Sequence, residues 1–206
     1  MRGLVKVEAV NVLNNQGIEN IICIVNKNSG GDFFDNAKIV ATDTTDINGE
    51  CRLKYWNTNT VKQHRLQFLS TDTSDNYFLG NVVIDGKDKG NGGSYSLMFN
   101  PNADVTLEFA PRTYKGVVTD NVNYFNESDK LRWYWVNIDV KNDDLYAKWN
   151  NPIYGTSPGG VSVGGDQGGA GWHQIVWEVT RNGEVETFED TFYAPPWDTV
   201  YYYINY

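Results

Sequence analysis

Gln174-Ile175-Val176-Trp177-Glu178-Val179-Thr180, then Arg181-Asn182-Gly183-Glu184, then Val185-Glu186-Thr187-Phe188-Glu189-Asp190-Thr191-Phe192 is the stretch that decides the fold. Two runs rich in β-branched and aromatic residues flank an Asn-Gly pair. Asn and Gly tolerate the positive φ that a two-residue hairpin turn demands at both central positions. The reading is a β-hairpin with strands Gln174–Thr180 and Val185–Phe192. The same pattern recurs along the chain. Val5 to Val12 alternates apolar and polar residues and ends at Asn14-Asn15-Gln16-Gly17. Ile21 to Val25 is continuously apolar, as expected of a strand covered on both faces. Further strands are predicted at Lys38–Thr45, Cys51–Trp56, Arg65–Leu69, Gly80–Ile84, Tyr95–Phe99 and Val105–Phe109. Past Pro111 they resume at Tyr114–Thr119, Lys130–Val140, Leu145–Trp149 and the final Thr199–Tyr206.

Composition agrees. Val, Ile, Thr, Phe, Trp and Tyr supply 76 of 206 residues, whereas Leu and Ala supply 18. The first group suits a pleated, half-buried surface and loses rotamer freedom on a helix. A helical bundle is excluded. The expected class is all-β, with two antiparallel, immunoglobulin-like β-sandwich domains packed in tandem. Pro111 cannot donate to a ladder and reads as a strand stop, which places the domains at 1–110 and 111–206. The formal net charge of −9 argues against a nucleic-acid partner, since phosphate neutralisation needs clustered Lys and Arg.

The chemistry-bearing motifs fall short of their templates. Gly155-Thr156-Ser157-Pro158-Gly159 matches the outline of a nucleophile elbow, but Pro158 has no N–H to offer an oxyanion. The glycines at 159–171 lack the Gly-Lys-Ser/Thr ending of a phosphate loop. Thr44, Asp46 and Asn48 stand at calcium-loop offsets, yet the position of the bidentate carboxylate is Tyr55. Asp143-Asp144 and Asp85 with Asp88 read as solvated turns. Cys23, Cys51, His64 and His173 have no zinc-site spacing. No catalytic residue, metal or cofactor is expected, and the chain reads as a non-enzyme. Cys23 and Cys51 allow one disulfide; the alternative is two buried thiols acting as small hydrophobes.

Asn150 to Gly171 carries eight glycines and no strand period, so it is expected to be a loop. Trp149, Tyr154, Trp172 and His173 flank or lie in it and are the candidate ligand-binding residues, with rings that could stack on a sugar. Trp133 and Trp135 share a face of their strand, with Tyr134 opposite.

Ala41-Thr42-Asp43-Thr44-Thr45-Asp46-Ile47-Asn48-Gly49-Glu50-Cys51-Arg52-Leu53, with Val7 to Asn11, Gly17 and Asn36 to Val40 before it, resembles the carboxypeptidase-regulatory-like, or transthyretin-like, modules of secreted bacterial proteins. The family's hairpin turns on Asn-Gly in the same way, with an aromatic or branched residue in place of Cys51. Asn123 to Lys130, Trp177 to Gly183, Asp190 to Pro195 and Asp198 to Tyr206 resemble the uncharacterised β region that follows such modules in surface lipoproteins. The resemblance implies an extracytoplasmic, periplasmic or cell-surface module with a protein or glycan partner, and a leader and lipid anchor upstream of residue 1. The longest apolar run, Ile21 to Val25, is one strand's worth, so no transmembrane segment is expected. The functions weighed are a structural, adhesive or partner-binding envelope module, a carbohydrate-binding protein, and a glycan-acting hydrolase.

Overall fold

A computed structural model describes residues 2–27, 38–56, 64–70, 76–90, 94–96, 102–140, 153–154 and 161–206. Its regular elements are all strands: β1 (Arg2–Asn11), β2 (Ile21–Lys27), β3 (Lys38–Thr44), β4 (Glu50–Trp56), β5 (His64–Ser70), β6 (Tyr77–Ile84), β7 (Lys87–Asp88), β8 (Ser94–Ser96), β9 (Asn102–Asp120), β10 (Lys130–Asn137), β11 (Ile153–Tyr154), β12 (Val161–Gly169), β13 (Gly171–Arg181), β14 (Glu184–Ala194) and β15 (Thr199–Asn205). The chain divides into two compact units, Met1–Ala110 and Pro111–Tyr206.

In the first unit one sheet runs β4-β1-β9-β6-β7 and the other β3-β2-β5-β8. Alternation puts Val5, Val7 and Ala9 of β1, Leu53 of β4 and Val105 and Leu107 of β9 in a single core with Cys23 and Val25 of β2 and Leu66 of β5. Lys6, Glu8, Arg52 and Lys54 occupy the opposite, exposed face. This is a sandwich: each sheet buries one face against the other.

The second unit repeats the plan. β12 and β15 flank the C-terminal half of β9, and the facing sheet runs β11-β10-β13-β14. Val117 and Ile204 from the first of these meet Leu131, Trp133, Ile175 and Val179 from the second. The correspondence extends to strand order. In each unit the first strand lies between an antiparallel neighbour and the unit's last strand, which runs parallel to it. The second sheets, β3-β2-β5-β8 and β11-β10-β13-β14, match position by position. β9 serves as the last strand of one unit and the first of the next.

Three expectations need correction. The pairings are not all antiparallel, since β1 with β9 and β15 with β9 are parallel. Pro111 does not stop a strand; it lies inside β9. Its missing N–H is tolerated because pairing with β1 ends at Phe109 and pairing with β12 starts at Arg112. The glycine-rich stretch is not wholly a loop, because Val161–Gly169 is β12, antiparallel to Arg112–Asp120. Glycine is required within it: a Cβ on Gly165 would lie 2.3 Å from Tyr114 Oη and 2.8 Å from the Lys115 carbonyl oxygen. Residues 155–160, with the Ser157 motif, lie outside the described residues, as do Leu145–Trp149 and Asp143-Asp144.

Candidate functional site

The hairpin forms as its turn chemistry predicts. Asn182 and Gly183 have φ of 48° and 82°, and β13 pairs with β14 from Arg181↔Glu184 to Gly171↔Ala194. In a two-residue hairpin the closing pair exchanges hydrogen bonds, and bonded and non-bonded pairs alternate from there. Glu184, Glu186, Phe188, Asp190 and Phe192 therefore bond to β13. Val185, Thr187, Glu189, Thr191 and Tyr193 direct their N–H and C=O groups away from it. β14 ends its sheet among the described residues, so those groups, except the Thr191 N–H that Asp190 accepts, form an open edge.

Every residue from Glu184 to Thr191 is exposed, including Val185 at 59 % and Phe188 at 39 %. Glu184, Glu186, Glu189 and Asp190 make the edge acidic, with no basic residue between them. Asp190 accepts a hydrogen bond from Tyr202 Oη at 2.6 Å, and its other oxygen accepts from the Thr191 amide at 2.7 Å. Both bonds, the tyrosine's first, hold its carboxyl below the usual range, while burial and then Asp190 push the Tyr202 hydroxyl up.

Behind the edge lies a file of rings. Phe188 stacks on Trp177 at 5.5 Å, Trp177 meets Tyr202 at 6.1 Å, Tyr202 meets Phe192 at 5.4 Å, and Phe192 stacks on His173 at 5.2 Å. His173 closes the file. Its Nδ1 lies 3.0 Å from the Gly171 carbonyl and its Nε2 lies 2.8 Å from Nζ of the buried Lys115, which also sits 5.7 Å from the Trp135 ring. A carbonyl can only accept, so Nδ1 carries the hydrogen and Nε2 accepts from the ammonium. Burial, then the Lys115 charge, lowers His173 to about 3, although the Gly171 bond acts the other way.

The sequence candidates do not assemble into one surface. Trp172 and His173 are consecutive on β13 and point to opposite faces, as strand neighbours must. Trp172 is 49 % exposed and packs edge-on against Tyr193, while His173 is fully buried. Tyr154 lies in β11 opposite Lys130, and Trp149 falls outside the described residues. Cys23 and Cys51 are free thiols, so the disulfide their number allows is not formed in this structure. Asp46, from the calcium-like spacing, accepts from the Asn48 and Glu50 amides at 2.9 and 3.0 Å and so pins its own turn. Asp85 and Asp88 likewise accept from the Asp104 amide and the Asn81 side chain. No three His, Cys, Asp or Glu side chains converge as a metal site would need, among the described residues. Phe188, Tyr202 and Lys115 were not singled out from sequence. The density of acids from Glu184 to Asp190 was the legible signal, since charge on a strand marks an edge.

No protein-family model matches the chain, and no curated protein matches it. Among solved structures it is similar to the shaft pilin SpaA of Lactobacillus rhamnosus GG, at 10 % identity and a TM-score of 0.37, over 100 % of this chain and 97 % of that one. It is also similar to GBS52, the minor pilin of Streptococcus agalactiae, at 10 % identity and a TM-score of 0.34, over 98 % of this chain and 94 % of that one. A third is a streptococcal ancillary pilin, at 12 % identity and a TM-score of 0.33, over 100 % of this chain and 63 % of that one. The fold assignment stands on the strand pairings and shared cores, not on these alignments.

Proposed function

We propose that the chain is a non-enzymatic structural or adhesive module of a bacterial envelope, exported from the cytoplasm, and that β14 is the edge through which it engages its partner. The observation that carries this is the edge that stands open among the described residues: an eleven-residue strand, exposed from Glu184 to Thr191, whose alternate backbone groups point outward. An unpaired edge is a template for one more strand, with main-chain bonds giving affinity and side chains giving selectivity. The acids at 184, 186, 189 and 190 select an extended segment bearing Lys or Arg between apolar residues. They also oppose pairing of two β14 edges, which would set like charges against each other. Export accords with the resemblance of the Ala41–Leu53 hairpin to secreted modules.

The test uses a synthetic seven-residue peptide alternating lysine with valine, and a control with glutamate in place of lysine. Thr187→Pro removes an outward N–H and leaves the bonds to β13 and the charge unchanged. The lysine peptide should bind the native chain and lose at least about tenfold in affinity against Thr187→Pro, the scale of one or two hydrogen bonds. Equal binding to both proteins, or equal binding of both peptides, would refute the docking edge.

A further inference from the structure

We infer that Cys23 and Cys51 form a disulfide across the first sandwich when the chain folds in an oxidising compartment. The chain has two cysteines. They come from different sheets, one on β2 and one on the edge strand β4, yet both point into the same core, where Cys23 is 0 % exposed and Cys51 5 %. Cys23 stands opposite Asp43 of β3, whose carboxylate accepts from the amide of Arg52, next to Cys51, at 2.9 Å, so the two cysteines face the same part of the core; Cys23 Sγ lies 3.8 Å from the Ile21 carbonyl oxygen. A bond here would join the two sheets and tie the edge strand β4 to the interior strand β2.

The step is a thiol–disulfide exchange with an oxidised dithiol carrier or oxidised glutathione. Both S–H bonds break and one S–S bond forms. The two electrons and two protons pass to the oxidant's disulfide, which leaves as two thiols. The order of events follows from burial. In the folded protein the Cys51 contact, then burial, holds the Cys23 thiol strongly protonated, and only thiolate attacks a disulfide. Oxidation therefore belongs to folding, while the thiols are exposed, and the folded reduced chain resists both oxidant and alkylating reagent.

The experiment refolds the whole chain in a glutathione redox buffer and, separately, under reductant, then counts thiols by alkylation in denaturant with intact mass. The expected oxidised product is a monomer two hydrogens lighter with no alkylatable thiol. Its melting point should exceed that of the reduced form by at least about 5 °C. Cys23→Ala/Cys51→Ala should melt at one temperature in both buffers. Two free thiols after oxidative refolding, or cross-linked dimers in place of the light monomer, would overturn the inference. So would a double variant that shows the same reductant-dependent shift.

Discussion

Acid should destabilise the second unit through His173, and the size of the effect follows from its surroundings. The imidazole has no solvent exposure, and its Nε2 accepts from the Lys115 ammonium at 2.8 Å. Protonation there would turn the acceptor into a donor facing a cation. The folded pKa is about 3, against an unperturbed 6.5. Because the folded value is the lower one, the unfolded chain takes up the proton first as pH falls. Stability is unaffected above ~6.5 and declines between ~6.5 and ~3. At pH 4 the solution is ~2.5 units below the unfolded imidazole's pKa, and at 1.36 kcal/mol per unit the loss is about 3 kcal/mol. The assay is urea unfolding at pH 7 and pH 4, followed by tryptophan fluorescence, since six of seven tryptophans belong to the second unit. His173→Gln is the reference, because it can still offer Lys115 an acceptor and does not titrate. Native protein should lose about 3 kcal/mol more than this variant over the interval. Equal losses would mean that His173 is not held neutral in the core, and the reasoning would fail.

Three substitutions test other parts of the fold by thermal melts. Gly183→Val should cost more than ~1 kcal/mol from backbone strain alone, since space is open around the missing Cβ and only its φ of 82° resists. Gly165→Ala should cost ~1–3 kcal/mol, and Tyr114→Ser should recover part of it by withdrawing the ring but not the Lys115 carbonyl. Trp172→Ala should cost less than ~1.5 kcal/mol, its ring being half exposed and packed on Tyr193 alone among the described ring contacts, whereas Leu131→Ala in the core should cost ~2–5 kcal/mol.

Much of the architecture was legible because its causes are local. A strand declares itself by period-two alternation, as in Val5-Lys6-Val7-Glu8-Ala9, and a hairpin turn by the positive φ of Asn182 and Gly183. The all-β class and most strand positions followed from such signals. Other features depend on what stands opposite. β12 was hidden because glycine has no side chain to alternate, and its Gly165 answers to Tyr114 on a neighbouring strand. Pro111 reads as a stop until the change of pairing partner around it is known. The parallel first-and-last pairing, and with it the repeated topology, leaves no trace in a sequence whose two halves share no visible repeat. Trp172 and His173 looked like one aromatic pair, but the pleat sends one to solvent and the other to the core. That Cys23 and Cys51 face one core, and that Lys115 meets His173, was likewise decided by the tertiary structure. Sequence determines what each strand can bury, because burial follows the local period. Which buried groups touch depends on sheet order and register, and those are set by long-range pairing.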